Sequence, residues 1–114
     1  MSIVSRANTP HYTWGDGCDG WHLIRDSALS IIQEVMPPGT SEVRHRHRRA
    51  RPFFFVLSGH ATMRVDGDAV ELRAGEGIEV GPGLTHQVIN QHDSQVEFLV
   101  ISTPPTAGDR EDAV

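Results

Sequence analysis

The sequence predicts an all-β chain folded as one sandwich or barrel domain, and three observations carry that expectation. About nine short apolar runs are separated by turn residues every eight to twelve positions. Eleven glycines and seven prolines supply the punctuation. No stretch holds the 3.6-residue period of an amphipathic helix. At 114 residues the chain is the size of one domain and can bury a modest core.

The elements follow in order. The first ten residues carry no periodicity and read as an arm. Trp14-Gly15-Asp16-Gly17-Cys18-Asp19-Gly20-Trp21 sets two tryptophans around a glycine-rich loop. A turn whose aromatics cover one end of the core is the first reading, and a lid or subunit contact the second. Trp21–Arg25 and Leu29–Met36 are rich in Leu and Ile and are expected as strands, with Asp26-Ser27-Ala28 turning between them. Pro37-Pro38-Gly39 stops the second strand. Glu42–His47 and Phe53–Leu57 are the next two, joined by a bend at Arg48–Pro52. Ser58-Gly59 turns into Ala61–Val65, and Asp66-Gly67 is a hairpin signal leading into Ala69–Leu72. Ile78–Val80, Thr85–Asn90 and Val96–Ser102 complete the series, with Gly81-Pro82-Gly83 as an interruption. The tail is polar and reads as a strap or a disordered end. The expected division is an arm and loop over residues 1–20, a barrel over 21–103 and a tail over 104–114.

Charge and cysteine usage exclude several functions. Net charge is −5, yet five of the ten arginines crowd into Arg44–Arg51, where no acid stands. An arginine tract can mark a nucleic-acid surface. Here the background is acidic and histidines interrupt the tract, so a rim for a small anion is expected and nucleic-acid binding is not. The single cysteine, Cys18, forms no intrachain disulfide, which fits a reducing compartment. No apolar run has the length of a signal peptide or a membrane span. A soluble cytoplasmic protein is expected, with no membrane partner.

The residues that carry chemistry are histidines. His45 and His47 stand two apart in an expected strand, so their side chains point the same way, about 6.5–7 Å apart along it. Two imidazoles so placed can converge on one metal ion. His86 lies farther along, framed by Gly81-Pro82-Gly83 and Asn90. His11, His22, His60 and His92 have no supporting pattern and are read as surface residues. Glu34 would face inward, as a base or extra ligand, under one strand parity, and Gln33 and Val35 under the other.

These spacings resemble the cupins, small jelly-roll barrels of two antiparallel sheets. The first cupin motif maps onto Gly39, His45, His47, position 52 and Gly59, and the second onto Gly75, Gly83, His86 and Asn90. Two positions depart from it. The motif's proline falls at Gly81, with Pro82 one place late. The motif's glutamate falls at Pro52, which has no side-chain oxygen and no N–H to offer.

The resemblance therefore implies three metal ligands, His45, His47 and His86, with Asn90 as a supporting hydrogen-bonding residue. It implies one divalent ion, which could be Fe, Zn, Ni or Mn. It places position 52 inward, so Phe54, Val56 and Val88 would line an apolar pocket. Arg49 and Arg51 are candidates for attracting an anion. Phe53, Phe55 and Leu57 would then face outward and want cover, which a homodimer would give. A three-histidine oxygenase acting on a small anionic molecule is the first functional reading. A sugar or sugar-phosphate isomerase is the second, and a non-catalytic ligand or metal sensor the third.

Overall fold

The computed structural model describes residues 2–113, and its strands follow the alternation of apolar and polar side chains. In chain order they are β1 (His11–Trp14), β2 (Cys18–Arg25), β3 (Ser30–Met36), β4 (Thr40–Ser41), β5 (His45–His47), β6 (Pro52–Ser58), β7 (His60–Val65), β8 (Asp68–Arg73), β9 (Gly77–Glu79), β10 (His86–Asn90), β11 (Val96–Ser102) and β12 (Arg110–Asp112). The first sheet has the order β1-β2-β3-β11-β6-β9, and the second β12-β5-β10-β7-β8, with β4 also on β10. Every pairing is antiparallel. This is the expected all-β jelly roll of two sheets. No helix among the described residues is long and apolar enough to cross a membrane.

The core lies between the two inner faces. Strand β11 shows the pattern most plainly, with buried Val96, Phe98, Val100 and Ser102 alternating with half-buried residues. Its register sets Phe98 between Glu34 and Val56, and Val100 between Ile32 and Phe54. Burying each large apolar side chain there contributes about 1.5–3 kcal/mol. A slip of one residue would turn that whole set outward. From the second sheet Met63, Leu72 and Val88 close the core.

Turn chemistry fixes the connections. Asp66 and Gly67 have φ of 48° and 90°, the two positive values that a type I′ hairpin needs. Gly59 has φ of 81°, and a Cβ there would lie 2.4 Å from the carbonyl oxygen of Gln95. Only glycine meets both demands.

Three segments differ from the sequence expectation. The boundary expected at residue 21 falls inside β2, and β1 pairs with that strand from His11 to Trp14. His-Tyr-Thr-Trp alternates with period two, which is strand patterning on four residues. The tail also enters a sheet: β12 pairs with β5, setting Arg110 against His47 and Asp112 against His45. Its polar side chains conceal this role, because the ladder is made by the main chain. Finally, Glu42–His47 is not one strand. Residues 42–44 leave the ladder between β4 and β5, although the Glu42 N–H still donates to Val88 O at 3.0 Å.

The two tryptophans lie on opposite sides of the first sheet. Trp14 packs against the core, and its indole N–H donates to Asp19 O at 3.1 Å. Trp21 sits on the outer face beneath the Arg6 guanidinium, 4.0 Å from the ring centre. Arg6 also pairs with Glu97 at 3.1 Å, so the arm is fastened across that face.

Candidate metal centre

The histidine cluster is built by register. His45 and His86 are direct partners across β5 and β10, and His47 follows two residues along the same face. Their ring centres lie 4.4, 5.0 and 5.6 Å apart pairwise. One ligand nitrogen from each comes within 4.8 Å of the others. All three are nearly enclosed, with 4, 6 and 1 % exposure for His45, His47 and His86.

The hydrogen bonds prepare these rings for a cation. His45 Nδ1 donates to Val43 O at 2.8 Å, and His86 Nδ1 to Leu84 O at 3.2 Å, which leaves Nε2 of each ring as the acceptor. A metal-binding histidine commonly has its second nitrogen held this way. His47 Nδ1 and His86 Nε2 are buried with no hydrogen-bond partner. Orphaned polar atoms are costly unless something satisfies them. Burial holds all three imidazoles below their ordinary range, His45 to about 4, so they are neutral at physiological pH. Neutral, enclosed, convergent nitrogens fit a divalent ion of the zinc or iron type.

Strand β5 is clamped from the tail side. Asp109 Oδ2 accepts from the backbone N–H of Arg49 at 2.9 Å and Ala50 at 2.8 Å, closing the bend after His47. Glu111 pairs with Arg46 at 3.0 Å and also with Arg48, and Ala113 N–H donates to Arg44 O. Two of the tract's five arginine side chains, Arg46 and Arg48, are thus spent on the strap.

Two members of the cluster, His45 and His47, open into a cavity of about 610 Å³ that takes in residues of both sheets, while His86 stands behind them. His45, His47, Phe54 and Pro52 line it, with Trp14, Ile32 and Val100 on the apolar walls. The Phe54 ring meets His86 edge-on at 5.7 Å. Pro52 faces inward as parity requires and brings a ring where a carboxylate would stand.

Other expected residues lie elsewhere. Val56 and Val88 are core residues at 1 and 2 % exposure and do not line the cavity. Asn90 is fully buried and acts as a tie, donating to Met36 O at 3.0 Å and Ser94 O at 2.9 Å while accepting from the His92 N–H. Arg49 and Arg51 are exposed and absent from the cavity wall, and Arg51 pairs with Glu79 at 3.5 Å. The bend that carries them turns outward under the Asp109 clamp. The arginines on the wall are Arg25 and Arg110, the second paired with Asp112 at 2.9 Å.

Further polar groups line this cavity. Glu42 Oε1 accepts from the Val88 N–H at 2.9 Å, and its Oε2 lies 3.9 Å from His45 Nδ1. Burial, reinforced by Glu34, pushes its carboxyl up to about 8. Glu34 faces inward, accepts from the Tyr12 hydroxyl at 2.7 Å and is pushed up by burial to about 7. His22, expected at the surface, is half-buried on the same wall, with its ring 4.8 Å from Tyr12. The alternation of residues 11–14 was a signal for Tyr12 and Trp14. Glu42 was hidden, because the break at 42–44 overrides the parity that would separate it from His45.

Comparison with known proteins agrees with the fold. The profile of the cupin domain family matches residues 32–102, and the chain belongs to that family. The uncharacterized protein MJ1618 of Methanocaldococcus jannaschii is 25 % identical over 76 residues, which cover 67 % of this chain and 61 % of that one. The oxalate-binding protein of Thermotoga maritima is 27 % identical over 85 residues, covering 70 % of each. Among solved structures, the polyketide cyclase RemF from Streptomyces resistomycificus superposes with a TM-score of 0.86 at 18 % identity, over all of this chain and 86 % of RemF. At that identity the likeness is one of fold.

Proposed function

We propose that the cavity binds a small anionic oxygen-donor molecule at one divalent metal ion held by His45, His47 and His86. The observation that carries this reading is the convergence of three buried, neutral imidazoles, two of which, His45 and His47, line one end of a mainly apolar cavity. Three neutral ligands leave the full charge of the ion uncompensated, and Pro52 adds no carboxylate, so an anion is the natural fourth partner. Arg110 adds positive charge at the same wall. The similarity to an oxalate-binding protein supports a ligand of this kind.

When bound, a divalent ion supplies Lewis-acid polarisation of a ligand oxygen, and iron adds dioxygen chemistry. The chain's own part is to seat and orient the ligand: Trp14, Ile32, Phe54 and Val100 exclude water, and β12 holds β5 in register. Oxygenase chemistry is the activity assigned first. A redox-neutral isomerisation is the second reading, favoured by the inward-facing Tyr12–Glu34 pair. The half-buried Phe53 and Phe55, with Leu57 40 % exposed, mark the outer face where two copies would meet in a homodimer.

Calorimetric titration with oxalate as the probe tests this reading. Zinc-loaded protein is expected to bind it and chelator-treated protein is not. Equal binding by both forms would refute the metal's role.

A further inference from the structure

The first sheet holds a polar device that a metal site does not need. Tyr12 pairs with Gly20, and Gly20 pairs with Glu34, so the three occupy one row across β1, β2 and β3. Strands lie about 4.8 Å apart, so the outer members of such a row stand about 10 Å apart with the middle side chain between them. Here the middle residue has none. A Cβ on Gly20 would lie 2.2 Å from Tyr12 Cζ and 2.4 Å from its hydroxyl. The phenol ring lies down over that gap and donates to Glu34 Oε2 at 2.7 Å. Among the described residues this is the one hydrogen bond that the Glu34 carboxylate accepts, and its second oxygen is left for another donor.

The surroundings make the arrangement expensive as mere scaffolding. The same inner face carries Trp14, Ile32, Phe54 and Val100, and an apolar pair in the Tyr12–Glu34 row would fill the space without desolvating a carboxylate. The cavity is also larger than a two-carbon diacid requires. At about 610 Å³ it lies in the range that holds ring-sized ligands.

We propose that Tyr12 and Glu34 form a second binding station for the weakly acidic O–H of a phenol or enol carried on an apolar ring body. This deepens the proposed function by naming the ligand class, and it rests on the cavity being a ligand site but not on metal at the histidines. The ligand O–H donates to the free oxygen of Glu34 while Tyr12 holds the other. If the proton crosses, the ligand O–H bond breaks with its electron pair kept on the ligand oxygen, and an O–H bond forms on Glu34. Nothing is oxidised. The titratable and charged groups around the station are Cys18, His22 and Arg25 from β2, Asp26 from the turn after it, Glu42 from the segment before β5, His45 and His47 from β5, and Arg110 from β12.

The test uses 4-nitrophenol, which has one hydroxyl, does not chelate, and reports its own ionisation by colour. Its affinity is measured from pH 5 to 9 for the full-length wild type, Glu34→Gln and Tyr12→Phe, with circular dichroism as the folding check. One proton shared between carboxylate and phenol gives the wild type an affinity maximum near neutrality. Glu34→Gln is expected to bind about tenfold more weakly there and to converge with wild type at pH 5. Tyr12→Phe removes a bond that stabilises the carboxylate, so its maximum moves to higher pH. Parallel profiles for the three proteins, or no binding by wild type, would overturn the proposal. Should Glu34→Gln fail to fold, the wild-type profile decides, because a plain apolar pocket gives a steady fall with pH. Zinc content is measured on the same samples, so failure of the metal reading registers separately.

Discussion

Glu34→Gln should stabilise the protein at alkaline pH and leave it nearly unchanged in acid. Burial raises the carboxyl from 4.5 to about 7, so between those values the folded protein holds more protons than the unfolded chain. The stability linked to this group is fully present below 4.5 and is lost as pH rises through 7. Two and a half pKa units correspond to about 3 kcal/mol, read as an order of magnitude. Glutamine is neutral throughout and keeps an oxygen for the Tyr12 hydroxyl. His45, His47 and His86 titrate in the opposite sense, losing stability as pH falls below 6.5. That loss is common to both proteins and cancels in their difference. For a chain of this size 1 kcal/mol moves Tm by about 4 °C, so Tm at pH 8 should rise by roughly 10 °C and at pH 4.5 by little. Differential scanning calorimetry at the two pH values reads it. An equal shift at both, or a loss at pH 8, would refute the claim that the buried carboxylate is held against its solvation preference.

The other predictions concern the strap, the wall and the ligand set. Asp109→Ala removes the acceptor for the Arg49 and Ala50 amides, so both should exchange hydrogen faster while amides of β11 keep their protection; unchanged exchange would show the clamp to be idle. Arg110→Ala should weaken oxalate binding by zinc-loaded protein about fivefold, the worth of a half-exposed charge, while Arg49→Ala and Arg51→Ala leave it unaltered. The reverse ranking would return the anion to the arginine tract. Pro52→Glu places a carboxylate on the cavity wall, and zinc affinity should rise by roughly tenfold while oxalate affinity falls. Tighter oxalate binding in that variant would contradict the charge argument.

Much of the fold was legible because period-two alternation survives wherever one face is buried, as in β6, β10 and β11. The Asp66-Gly67 turn was readable because few residues accept its backbone. The three histidines were readable because their spacing carries geometry. The opposite wall was not. Tyr12 meets Glu34 only across a glycine, in a row that exists once three strands pair. Glu42 reaches the cavity through a break in the ladder, which parity does not foresee. Arg110 arrives on a polar tail whose pairing with β5 depends on main-chain groups common to every sequence. Val56 and Val88 shared the parity of the site residues but not their depth, since alternation assigns a face and not a position along the barrel.

Elemental analysis of the purified protein beside His47→Ala tests the central claim most directly. About one divalent ion per chain is expected in the wild type, with loss of that ion in the variant. Absence of metal from both, after reconstitution with iron, zinc, nickel and manganese in turn, would contradict it.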